Sequence, residues 1–164
     1  MKASRKFLAL TPLCALLAAA SAHATDGYFP HGYGMKAKGM GGASVAMTDN
    51  AFAGANNPAT AAWAGNRLEA GVELFMPDRS ASNVGGSGAA ADSDSNLFLV
   101  PEFGYNRAIS DKLAVGVTVY GNGGMNTDYP VNFFGGTPPM GINLLQLIVA
   151  PTVAYKISDN HSVG

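Results

Sequence analysis

From residue 67 onward this chain alternates apolar and polar side chains with a period of two, and little else it contains limits the fold so strongly. In 67–76, Leu68, Ala70, Val72, Leu74 and Met76 fall on one face, and Arg67, Glu69, Gly71 and Glu73 on the other. Successive strand residues point to opposite sides of a sheet, so each set owns one side. Residues 97–106 set Leu99, Phe103 and Tyr105 against Val100, Glu102, Gly104 and Asn106. Residues 112–120 set Leu113, Val115, Val117 and Val119 against Lys112, Ala114, Gly116 and Thr118. Residues 142–157 set Leu145, Leu147, Val149, Val153 and Tyr155 against Gln146, Ala150, Thr152, Ala154 and Lys156. Pro101 has no N–H to give a ladder, so the second strand is expected to kink there and open a gap in the wall.

The connections alternate as well. Segments 77–96 and 121–141 are long, whereas 108–111 is short. Short turns on one side and long loops on the other, with apolar faces outward and polar faces inward, are the arrangement of outer-membrane barrels. A repeat marks the short turns: Ile109-Ser110-Asp111, with Val115-Gly116 after it, returns as Ile157-Ser158-Asp159 with Val163-Gly164. A recurring two-strand unit is what a hairpin meander produces. Tyr105 and Tyr155 precede these turns, at the level of a periplasmic aromatic belt. The expected fold class is all-β, the N-terminal part of an antiparallel transmembrane β-barrel. Residues 67–164 supply four strands and the start of a fifth, and the chain reads as the N-terminal portion of a longer protein.

Segment 39–66, GMGGASVAMTDNAFAGANNPATAAWAGN, follows neither period. Gly41, Gly42 and Gly54 permit close approach or positive φ. Asn57-Pro58 favours an extended Asn57, after which Pro58 can open a helical turn through Ala59. A loop this long and this poor in charge is expected to pack on something. Residues 25–66 therefore read as a compact plug, or hatch, inside the barrel lumen.

Residues 1–24 have the form of a cleaved export signal. Lys2, Arg5 and Lys6 precede an apolar run, and Ala22-His23-Ala24 gives the small-x-small cleavage pattern. The only cysteine, Cys14, falls in this segment. Three of the ten Lys and Arg lie there and none of the eleven Asp and Glu. The remainder carries seven bases against eleven acids, a net charge of −4. An acidic chain lacks the basic face that a nucleic-acid partner requires.

The sequence points to no enzyme. Glu69 and Glu73 share a face but have no histidine or hydroxyl motif beside them, and His31 and His161 have no ligand spacing, so no metal and no cofactor is expected. Loop 125–140 is unusual in carrying Met125, Tyr129, Phe133 and Phe134 among paired glycines and prolines. An exposed apolar patch marks a binding surface, here a candidate capture site for a greasy ligand.

These residues together resemble the FadL/TodX family of outer-membrane transporters. The resemblance is carried by the plug sequence GMGGASVAMTDNAFAGANNPA, by Asn57-Pro58-Ala59, by a first strand ending in Met76-Pro77-Asp78, and by GMNTDYP and APTVAYKIS. It implies a fourteen-stranded barrel with an N-terminal hatch and passive transport of long-chain fatty acids or aromatic hydrocarbons. The hatch shifts and the substrate leaves sideways beside a kinked strand. Asn57, Pro58 and Ala59, with Gly41 and Gly42, are the expected gating residues. The expected setting is the bacterial outer membrane, with its lipid and a hydrophobic small molecule as partners and a monomeric, multi-pass protein. The alternative is a surface barrel that acts in adhesion or as a receptor without transport.

Overall fold

A computed structural model describes residues 25–26, 29–83 and 90–164 of the chain. The expected export signal and residues 84–89 of the first long insertion lie outside these residues. In chain order, β1 (Thr25–Asp26) pairs with β2 (Phe29–Pro30). Then come α1 (Met35–Gly39), α2 (Ala53–Asn56), a 3-10 turn (Pro58–Thr60) and α3 (Ala61–Ala64). The sheet follows: β3 (Arg67–Phe75), β6 (Phe98–Ala108), β7 (Leu113–Tyr129), β8 (Met140–Ser158) and β9 (His161–Val163). Its neighbours are consecutive in sequence and antiparallel throughout, a meander in the order β3-β6-β7-β8-β9. A small hairpin of β4 (Ser80–Ser82) and β5 (Ala90–Asp92) occupies the first long insertion. No helix of the described residues is long and apolar enough to cross a membrane.

The sheet is apolar on its bare side. Leu68, Val72, Leu74, Leu99, Phe103, Leu145, Leu147, Val149 and Val153 are exposed there. The polar side is the covered one: Glu102, Asn106, Thr118 and Thr152 are buried under residues 33–64. A soluble sheet would show the reverse, since burial removes apolar area from water. Among the described residues the largest apolar side chain fully buried is Phe52, and the other buried apolar residues are alanines. So small an interior adds little hydrophobic free energy, and the wall is held chiefly by its ladders and by the solvent its outer face meets.

The repeat at the short turns is visible in the backbone. Ile109 N and Ser110 N both donate to Leu113 O, and Ser110 Oγ accepts from Lys112 N and Leu113 N. Ser158 Oγ takes the same part in the second turn, accepting from Asn160 N.

Two expected boundaries move. The second long insertion, 121–141, is mostly strand: β7 runs on to Tyr129 and β8 begins at Met140. Glycines made 121–129 read as loop, yet a partner strand supplies the ladder that propensity does not.

Candidate functional site

Residues 33–64, part of the expected plug, meet the sheet, the expected wall, in two halves that use different chemistry. In the first, α1 carries Lys38, whose ammonium donates to Glu73 of β3 at 2.5 Å and to Glu102 of β6 at 3.1 Å. Glu102 Oε2 also accepts from Gly34 N at 3.1 Å. The Glu102 side chain is 2% exposed, that of Glu73 38%. One cation therefore gathers carboxylates from two adjacent strands, and Oε1 of Glu102 is buried with no partner among the described residues. Burial pulls the Lys38 pKa down, but hydrogen bonds to Glu73 and Glu102, with their charges, outweigh it and leave the pKa raised. Nearby, Tyr33 OH donates to Asn122 Oδ1 of β7 at 2.5 Å, and its ring lies 4.2 Å from Tyr120.

The second half binds by close packing. Ala53 and Ala61 lie against Ala154 of β8. Gly54 sits so near Thr118 that an added Cβ would be 2.8 Å from its Oγ1, and closer still to that of Thr152. Asn106 Nδ2, buried, donates to Ala61 O at 3.1 Å and to Gly65 O at 2.7 Å, which satisfies carbonyls at the end of α3. Arg67 Nε adds a bond to Ala64 O at 2.7 Å. The Lys156 ammonium stands 5.8 Å above the Trp63 ring.

Of the expected gating residues, Asn57 is extended (φ −160°, ψ 104°) and caps the 3-10 turn. Its Oδ1 accepts from Ala59 N at 3.2 Å and its Nδ2 donates to Val45 O at 2.9 Å, joining the two halves of the plug. Pro58 opens the turn, where a missing N–H costs nothing. Ala59 O accepts from Ser162 Oγ of β9 at 2.8 Å, so the turn is tied to the last strand. Gly41 (φ 63°) and Gly42 (φ 91°) end α1, with Gly42 N donating to Ala37 O at 2.9 Å. The side chain of Asn57 bonds to Val45 and Ala59 and not to either glycine.

The other expected residues are distributed differently from the sequence reading. Pro101 keeps an unbroken register opposite Val72. The register shift falls on β7, between Gly121 and Gly123. The β6–β7 ladder runs only from Phe103–Val119 to Ala108–Ala114, so pairing stops short of Pro101, while Gly121 still lies so near Val100 that an added Cβ would be 2.6 Å from its side chain. A proline can end a ladder on one edge without bending its own strand. Met125 and Tyr129 are strand residues of β7, opposite Leu144 and Met140, and not loop residues. Phe133 and Phe134 remain in the loop, Phe133 edge-on to Tyr129 at 5.6 Å and Phe134 88% exposed. The loop is braced by Asn83 Nδ2, which donates to Phe133 O at 2.9 Å.

Lys38, Glu102, Asn106, Thr118, Thr152 and Ser162 join plug to wall and were not singled out by sequence. Glu102 and Asn106 carried a signal: both sit on the inward face of a strand, where an acid and an amide need partners.

A family model described as Outer membrane protein transport protein (OMPP1/FadL/TodX) matches residues 13–164. No curated protein matches the chain.

Proposed function

The chain belongs to the OMPP1/FadL/TodX family of outer membrane transport proteins, and from that premise we propose that it carries hydrophobic small molecules passively across the outer membrane, gated by residues 25–66. The family's all-β barrel fold accounts for a sheet whose apolar side is bare, and its role in transport for a polar side that is stoppered. One observation carries the gating reading. Plug and wall are joined by a few polar contacts at Lys38, Asn106 and Ser162 and by small side chains, with no large apolar core among the described residues. Such a joint can open without unfolding the wall.

In this reading, long-chain fatty acids or aromatic hydrocarbons are captured by Met125, Tyr129, Phe133 and Phe134. Burial there is worth about 25 cal/mol per Å² of apolar surface. The Asn57-Pro58-Ala59 turn, with Gly41 and Gly42, lets the plug move. The stretch of β6 and β7 past Phe103–Val119, where their ladder ends, is the way out. The protein reaches the membrane by its cleaved signal, spans it with several strands and works as a monomer. Asn57→Ala with Pro58→Ala tests the gate, because it removes both the cap and the pre-set turn. Uptake of a fluorescent long-chain fatty acid by cells should change while heat-modifiable migration of the barrel stays as in wild type. Unaltered uptake of that acid and of naphthalene would refute gating by this turn.

A further inference from the structure

The bare face of the sheet carries a single charge. Along β3, β6, β7 as far as Val119, and β8 from Leu145 on, the side chains on the side of Leu68, Phe103 and Val149 are apolar or aromatic, save Arg107. Alternation fixes its side. Glu102, Gly104 and Asn106 of β6 are buried, whereas Phe103, Tyr105 and Arg107 between and after them are exposed. The ladder runs unbroken through this point, with Arg107 opposite Val115 and Val115 opposite Val153. Among the described residues no carboxylate pairs with Arg107, and Asp111 in the turn that follows makes no ion pair with it. The acids Glu73 and Glu102 are held on the other face, by Lys38.

A lone guanidinium on a lipid-facing wall is costly at the bilayer middle and close to neutral only at headgroup level. The register gives its level. Tyr105, opposite Val117, stands one step nearer the middle of the wall. Leu113 and Tyr155 pair one step nearer the short turn. Arg107 therefore lies between the levels of two belt tyrosines, beside the short turns that face the periplasm in such barrels. From Val153 to Tyr155 is about 7 Å along the strand, or about 5 Å along the normal at a ~40° tilt. The arginine stem can cover that rise against apolar neighbours while its head leaves the apolar band. A second donor stands beside it. Asn66 precedes Arg67, the partner of Asn106, and so neighbours Arg107. Its Oδ1 accepts from Ala108 N at 2.9 Å, which leaves Nδ2 to donate elsewhere.

We propose that Arg107, with the Asn66 amide, binds the phosphodiester of a phospholipid in the periplasmic leaflet. The guanidinium fork matches two phosphate oxygens with two parallel hydrogen bonds, and the anion supplies the charge that the wall does not. The occupant is a lipid and not a free anion, because the surface leading inward from Arg107 is exposed Leu68, Tyr105 and Phe103, which acyl chains cover. The site rests on the membrane setting of the proposed function and not on the gate or the cargo.

The test uses the intact protein, freed of lipid in detergent and titrated with dioleoyl phosphatidylglycerol, with bound lipid read by native mass spectrometry. Arg107→Gln should weaken the tightest lipid about tenfold, as for loss of a charge-assisted hydrogen bond. Arg107→Lys keeps the charge without the fork and should weaken it only a few-fold. Lys112→Gln, a charge lost from the same turn, should leave binding as in wild type. A galactosyl diacylglycerol with the same chains has no phosphate and should bind wild type and Arg107→Gln alike. Unchanged phosphatidylglycerol affinity in Arg107→Gln overturns the proposal. So does an equal fall for the galactolipid, which would make Arg107 a packing residue, or displacement of the lipid by inorganic phosphate, which would make the site one for a free anion. Should Arg107→Gln lose the heat-modifiable migration of a folded barrel, Arg107→Lys decides, and affinity equal to wild type there overturns the fork. Wild-type protein that enters the aqueous phase on detergent phase separation would sink the membrane setting itself, whereas protein that stays with detergent and shows no preference for phosphatidylglycerol would sink this site alone.

Discussion

Replacing Lys38 by methionine keeps the length of the side chain and removes one charge. It leaves Glu73 and Glu102, which the same ammonium held together, without their cation. The two carboxylates do not suffer equally. Glu73 is more than one-third exposed, so water replaces Lys38 and the loss there is about 0–1 kcal/mol. Glu102 is buried, keeps only Gly34 N as donor, and already has one unpartnered oxygen. Removing one partner of a buried pair costs about 3–5 kcal/mol. Taking the lower end, because Lys38 itself is partly exposed, gives about 3 kcal/mol. At 1.4 kcal/mol per tenfold, that is about a hundredfold change in the population of the detached form. The loss falls on α1 and its flanks, since Asn106 and the alanine contacts hold residues 51–65 independently. Amide hydrogen exchange on the intact protein is the assay. Peptides covering 33–44 should exchange about a hundredfold faster in Lys38→Met, those covering β7 and β8 unchanged. Glu73→Gln should give only a few-fold rise. If Lys38→Met exchanges no faster than Glu73→Gln, the buried carboxylate is not what holds α1, and the argument fails.

Further outcomes follow from the same contacts. The Lys38 pKa is raised, so its contribution is complete below the ordinary lysine value of 10.5 and fades as pH climbs through the higher folded value. Protection in 33–44, the exchange rate taken relative to the intrinsic base-catalysed rate at each pH, should therefore fall only at strongly alkaline pH in wild type, and Lys38→Met should lose that dependence. Gly54→Val drives a side chain into Thr118 and Thr152, a cost of about 1–3 kcal/mol, seen as a lower denaturation midpoint that Thr152→Ala partly restores. Asn106→Ala strands Ala61 O and Gly65 O and should loosen 58–66 by about 2 kcal/mol in the exchange experiment, with α1 unaffected.

The wall was legible because alternation is a local property. Leu68 and Glu69 declare opposite faces without reference to any other part of the chain, and β3 pairs as that pattern requires. The plug was legible only as a composition. Its small residues announced close packing, and Phe52, Ala53 and Ala61 are indeed buried. The partners could not be read, because Lys38 gains its meaning from Glu102, 64 residues further on. Asn122 was hidden for a different reason. One inserted residue breaks the phase of the alternation, and Asn122-Gly123-Gly124 has the chemistry of a turn. With Asn122 left out of the count, Met125, Thr127 and Tyr129 fall in phase with Thr118 and Tyr120, and the strand runs unbroken to Tyr129.

The division of the plug into two halves explains why its residues differ so much in kind. Alanine and glycine contacts fall off steeply with distance, so the half that holds Ala53, Gly54 and Ala61 is either seated or clear of the wall. Charge acts over a longer range and weakens gradually, which allows α1 to lift while Lys38 still feels both carboxylates. Asn57 lies between these two regimes, bonded to Val45 O on one side and capping the turn that Ser162 holds on the other. A displacement begun at Tyr33 therefore meets a charge pair that gives gradually, and reaches the packed half only through Asn57. In the gating reading proposed above, motion of the first half without the second is the lower-energy event. In wild type, exchange in 33–44 should precede exchange in 51–65, and Asn57→Ala should widen the interval between them.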